Sequence, residues 1–213
     1  MCLALGGSAA AQTATLVIGV EDYDRIADVR RADSVYALNE MLRSGVRSEA
    51  NPDSATIQSQ VARFETDGRV ATRQLVVLSG RFVHSATETY FLASDARPAS
   101  LAETSATALP LSTVLAILAE TPGDAVLALA TDTRDGAFGD LLSLGVGDID
   151  IPQGVTVLQS DPRSMTSALN TVLRTPGRRL SQVVERSDIR HSGYLRDDLG
   201  LRDGAAPYPS PGE

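Results

Sequence analysis

There is no lysine in this 213-residue chain; all 19 basic side chains are arginine. That excludes the chemistry built on a lysine amine: P-loop nucleotide sites, Schiff-base enzymes, Ser–Lys hydrolases and an intact response-regulator receiver. Cysteine occurs once, as Cys2, so neither an internal disulfide nor a cysteine-based zinc cage is available. The two histidines, His84 and His191, leave any metal site to rest on carboxylates. Neither an HExxH spacing nor an aspartate-rich loop is present, and no metal or cofactor is expected. No apolar run reaches about eighteen residues, so no membrane span is expected. The net charge of −8 argues against nucleic acid and anionic membrane as partners.

What is present is enough apolar residue, 43%, for a proper core. Residues 1–12, MCLALGGSAAAQ, end in a small-residue stretch before Gln12 that looks like the cleavage region of a secretory signal, lacking its charged start and most of its apolar core. They read as a signal-peptide remnant or a disordered leader, and the former places the mature chain in the periplasm or outside the cell, without Cys2. Residues 13–196 read as one domain. Residues 197–213, DDLGLRDGAAPYPSPGE, lack periodicity and read as a flexible tail.

Within the domain, TATLVIGV (13–20), Leu75–Leu78, Thr89–Ala93, Ala125–Ala130 and Val155–Leu158 are short apolar runs with strand character. Between them lie helical spacings: Val35, Leu38 and Leu42 with Gly45 as C-cap; Ile57, Val61 and Phe64 after Asn51-Pro52-Asp53-Ser54; Leu111, Val114, Leu115 and Leu118; Met165, Leu169, Val172 and Leu173; and Leu180, Val183 and Val184. Alternation of this kind predicts an α/β three-layer sandwich, a mostly parallel sheet of about six strands flanked by helices. Ligand sites in such sheets lie beyond the carboxyl ends of the strands. Two strand ends carry interesting chemistry, LVVLSGRFVHS (75–85) and VLALATDTRDG (126–136).

The order of these segments resembles the caspase-like peptidase superfamily in its bacterial metacaspase (orthocaspase) branch. TLVIGVEDYDRIADVRRADSVYALNEMLRSGV is similar to the opening strand, tyrosine-containing loop and first helix. LVVLSG resembles the strand ending in Ser-Gly-His-Gly, TYFLASDA the Tyr-Leu-Leu-Pro-x-Asp-Ala strand, and ATDTRDG the Asp-x-Cys-Arg-x-Gly motif. VTVLQSDPRSMTSALNTVLRTPGRRLSQVVERSDIR resembles the small-subunit strand and helices. The resemblance runs from Thr13 to Arg190.

It implies a Cys–His dyad, and both positions are substituted. Arg81 stands where the family has its histidine, and Thr133 where it has its cysteine, with Arg134 kept after it. Arg81 and Thr133 are 52 residues apart (133 − 81), close to the roughly 50-residue separation of caspases. The family's aspartate falls at Thr131. Asp132 follows, but side chains alternate along a strand and it faces the other way. An arginine stays protonated and cannot serve as the base, and a threonine hydroxyl is a weak nucleophile without one.

The expectation is therefore a domain without cysteine-endopeptidase activity that binds a peptide or protein in the former cleft, or scaffolds an assembly. Arg81 pairs with Asp132 or Asp135, or forms a cationic notch with Arg134 that holds a partner's carboxylate. Asp161, in LQSDPRS, is either part of the cleft or a helix cap. The enzyme alternative uses Thr133 as nucleophile with His84 as base. The acidic cluster Glu21, Asp22 and Asp24 reads as a solvated loop.

Overall fold

The computed structural model describes residues 12–39, 42, 50–132, 138–175 and 177–201. The signal-like leader before Gln12, the expected C-cap at Gly45 and the chain after Leu201 lie outside them.

A central sheet of five strands has the order β1-β2-β6-β8-β9. Its strands are β1 (Thr13–Gly19), β2 (Arg73–Gly80), β6 (Ala125–Thr131), β8 (Val155–Ser160) and β9 (Arg190–Gly193). The first four are parallel, and β9 closes the edge antiparallel to β8. Strands buried on both faces need no polar alternation, which is why they appear in the sequence as unbroken apolar runs. The Thr89 segment does not join this sheet. It forms β4 (Thr89–Phe91) in a separate four-stranded sheet with β3 (Phe82–His84), β5 (Leu109–Pro110) and β7 (Ser143–Leu144), order β5-β4-β3-β7.

Two apolar clusters sandwich the main sheet. On one face, Leu16, Ile18, Val76, Leu78, Leu127 and Leu129 meet α1 (Ser54–Gly68), α3 (Leu111–Leu118) and the small sheet. On the other, Val17, Leu75, Val77, Val126 and Ala128 meet a 3₁₀ helix (Ala32–Leu38), α4 (Pro162–Arg174) and α5 (Leu180–Val184). The helical spacings predicted from the sequence supply these contacts, and a fully buried Leu or Val contributes about 1.5–3 kcal/mol. One further helix, α2 (Leu101–Thr107), buries only Thr104 and has no apolar stripe to announce it. The spacing around Val35 and Leu38 gives a 3₁₀ helix rather than an α-helix; Tyr36 inside it donates to the carbonyl of Gly19 at 2.7 Å and accepts from its N–H at 2.9 Å. Burial pushes that phenol up to about 12.

The helices begin where the sequence signals a start. Asp53 caps α1, accepting from the Thr56 N–H at 2.8 Å. Asp161 caps α4, with Pro162 in the first turn.

The packed chain runs past Asp197, where the sequence suggests a tail. Arg196 donates to Asp124 at 3.0 Å, the Leu180 N–H donates to the Leu199 carbonyl at 2.9 Å, and Leu199 and Leu201 are buried in the second cluster. A local lack of periodicity conceals two leucines that find a partner only in the folded state. Replacing Leu199 by alanine should lower the unfolding free energy by about 2–5 kcal/mol in a urea titration, as for other fully buried leucines.

Candidate functional site

The carboxyl ends of β1, β2, β6 and β8 deliver four segments to one edge of the sheet: the 21–31 loop, Arg81, Asp132 and Asp161. Arg81 is 2% exposed. Its Nε donates to the carbonyl of Ala27 at 2.8 Å and a terminal amine to that of Asp28 at 3.3 Å. Its backbone N–H donates to the Tyr23 hydroxyl at 2.7 Å, and its carbonyl accepts from the Leu92 N–H at 3.0 Å. One residue thus ties the strand end to the 21–31 loop on one side and to β4 on the other. A charge buried this deeply must be bonded to be tolerated, and the carbonyl oxygens meet that need. Burial also pushes the Tyr23 phenol well above its ordinary value, with the Arg81 N–H opposing, so the hydroxyl stays neutral.

Gly80 is required here by space. A Cβ at this position would lie 2.7 Å from the Tyr23 hydroxyl and 3.0 Å from Phe91.

The 21–31 loop is not a loose acidic run. Asn51, in a left-handed conformation at φ 52°, accepts from the N–H groups of Glu21 at 2.7 Å and Asp22 at 3.2 Å, and donates to the Asp22 carboxylate at 2.7 Å. Asp28 accepts from the Tyr23 N–H at 3.0 Å, and the Val29 N–H donates to the Glu21 carbonyl at 2.8 Å. Partial burial, and Asp33 beside it, raise the Glu21 carboxyl above its usual value. Among the described residues, no three His, Cys, Asp or Glu side chains are grouped to hold a metal ion.

Asp132 follows the last residue of β6. The β2–β6 register pairs Ser79 with Ala130 and Gly80 with Thr131, so one further step sets Arg81 opposite Asp132. By alternation both fall on the face that carries Leu75, Val77, Val126 and Ala128. Thr131 has its buried hydroxyl without a hydrogen-bond partner among the described residues. Thr133, Arg134 and Asp135 lie outside the described residues.

His84 sits on β3, in the small sheet rather than on a loop. Its Nδ1 is 3.2 Å from the Gly145 carbonyl, and Gly147 packs against the ring so closely that a Cβ there would lie 2.7 Å away. The ring lines a polar pocket of about 690 Å³ with Asp148, Gln159 and Arg190. Arg190 donates to Gln159 at 3.4 Å across the β8–β9 pair. Sequence reasoning passed over Gln159 and Arg190. Gln159 was visible as the polar residue just before a strand end. Arg190 was not, since RHSG is exposed throughout and has no strand pattern.

Asp161, in contrast, serves its helix. It accepts from the N–H groups of Arg163 at 3.0 Å and Ser164 at 3.1 Å. Partial burial works to raise its pKa, but these donors outweigh that and hold the carboxyl below its ordinary value.

No family model matches the chain, and no curated protein does. Among solved structures it is similar to one described as "structure of pro-sf-caspase-1", with a TM-score of 0.51 and 13% identity over 82% of this chain and 75% of that one.

Two outcomes test this site. Arg81→Met should lower stability by about 2–4 kcal/mol in a denaturant titration, because the Ala27 and Asp28 carbonyls lose their donor in a buried place. Asp161→Ala should cost about 1 kcal/mol at neutral pH. A depressed carboxyl stabilises the fold above the ordinary aspartate value of about 3.9, and that contribution is lost as pH falls through the lower folded value. The gap between wild type and Asp161→Ala should therefore close in strong acid, as followed by urea titrations across pH. The sheet order, the layers flanking it and the solved neighbour agree: this chain has a caspase-like α/β fold.

Proposed function

We propose that this is a caspase-like domain that has lost cysteine-endopeptidase chemistry and binds a peptide or protein in the cleft beyond its strand ends, as a non-catalytic recognition or scaffolding module. The observation that carries the reading is Arg81. A guanidinium fastened to two backbone carbonyls inside the protein cannot cycle a proton, and it holds a fixed positive charge where a peptidase of this kind needs a neutral base. The nucleophile position is Thr133, and the chain's single cysteine is Cys2.

Asp132 completes the substituted site by pairing with Arg81. The register supports this, since neighbouring strands are about 4.8 Å apart and the two side chains share a face. The pairing balances the buried charge and leaves the strand end a structural ledge. The ligand's seat is the pocket of about 690 Å³ at the end of β8, where His84, Asp148, Gln159 and Arg190 offer donors and acceptors of both signs. Its size and mixed polarity suit side chains of an extended peptide.

The second reading makes the chain a hydrolase with Thr133 as nucleophile and His84 as base. The contact of Nδ1 with the Gly145 carbonyl favours it, because an Nδ1–H donated there leaves Nε2 free to accept a proton.

Fluorogenic peptides with basic or acidic residues at the cleavage position, with and without calcium, distinguish the two. The full chain should show no turnover above that of its Thr133→Ala variant. Turnover that disappears in Thr133→Ala, or in His84→Ala, would make the second reading correct.

A further inference from the structure

On the face of the sheet that α4 and α5 cover, the two helices form an open groove of about 460 Å³ that runs along α4 from the end of β8. Its character is unlike that of the chain as a whole. Three arginines line it, Arg163, Arg178 and Arg186, against the single carboxylate of Asp188, in a chain whose net charge is −8. Some arginines elsewhere rest on carboxylates, Arg69 on Glu65 and Arg73 and Arg196 on Asp124. None of the three groove guanidiniums makes an ion pair or a side-chain hydrogen bond among the described residues. Between them α4 presents Ser164, Ser167 and Thr171, spaced i, i+3, i+7 on one face. These small side chains keep the floor low, and the Ser164 and Ser167 hydroxyls offer further donors for an oxygen-rich ligand, while Thr171 donates to the Ser167 carbonyl.

The placement of the cations decides what kind of anion fits. Arg163 stands in the first turn of α4. Arg186 is held near that end, because the Ser160 hydroxyl, just before the Asp161 cap, bonds the carbonyl of Asp188. Arg178 lies beyond the other end, after Arg174. A helix of this length spans about 20 Å. One phosphate or one carboxylate cannot reach both ends, whereas an extended polypeptide of about seven residues can. A nucleic acid would also carry spaced charge, but its continuous phosphate chain would meet the negative field of the rest of the protein.

We propose that the α4–α5 groove is a docking surface for an acidic segment of a partner protein, whose spaced Asp or Glu side chains pair with Arg163 and Arg186 at one end and with Arg178 at the other. Guanidinium groups take carboxylates through two parallel hydrogen bonds, so each pairing fixes position as well as charge. The groove shares no lining residue with the pocket at the end of β8, and the proposal stands whether or not that pocket binds a peptide.

The test uses the full chain and a fluorescein-labelled peptide of about eight residues carrying spaced glutamates, followed by fluorescence anisotropy at low and raised salt. The peptide should bind, its glutamine counterpart should not, and affinity should fall as salt rises. Replacing Arg163, Arg178 and Arg186 together by glutamine should weaken binding by about tenfold or more. A control carrying Arg63→Gln, Arg69→Gln and Arg97→Gln, exposed arginines outside the groove with the same change in charge, should bind as wild type does. Circular dichroism of both triple variants should match wild type. Failure of the glutamate peptide to bind overturns the proposal, as does an equal loss in the two triple variants. A labelled oligothymidylate that binds more tightly through the same three arginines would overturn it in favour of nucleic acid.

Discussion

The buried guanidinium of Arg81 holds together the parts of the molecule that face the cleft. It ends one central strand, fixes the loop that follows another, and through its own carbonyl anchors the small antiparallel sheet. Tyr23 reaches back from that loop to the Arg81 N–H, so the loop is held both by what it accepts and by what it offers. A cation in such a place is tolerated only while its donors are satisfied, and satisfying them with backbone carbonyls constrains loop geometry more tightly than a side-chain carboxylate would. The residue at the carboxyl end of this central strand is a structural fastener.

That change in role alters the energetic character of the site. Catalytic side chains are usually left under-bonded so that they can respond to substrate. Here the bonds at Arg81 are made inside the protein. What remains open to solvent is a pocket between the end of β8 and the small sheet, lined by His84, Asp148, Gln159 and Arg190.

Much of the fold was legible because it rests on apolar periodicity. Strands β1, β2, β6 and β8 are continuous hydrophobic runs, and α1, α3 and α4 carry stripes that the two cores require. Elements without that signature were hidden. β9 exposes every side chain and is defined by backbone pairing with β8 and by Gly193, at φ 77°, where a Cβ would collide with the Val155 carbonyl. β5 and β7 have two residues each. At the site, the ordered motifs singled out Arg81, but nothing in the sequence could name its acceptors, because Ala27 and Asp28 contribute carbonyls that every residue has. Asp161 was visible as a residue of either role, and its two N–H partners settle it as a cap.

The loop fastened by Arg81 has a consequence for how a ligand arrives. Asn51 pins its beginning, Tyr23 and Asp28 cross-brace its middle, and Arg81 closes it from beneath. Opening it would strip a buried charge of its acceptors, so this loop at the strand ends is preorganised. Its ordering cost is met when the chain folds, and anything that docks against it need not meet that cost again. Association at a rim of this kind can proceed at the pace of diffusion and orientation, with no closing step to wait for, so that differences between ligands fall on how long each one stays.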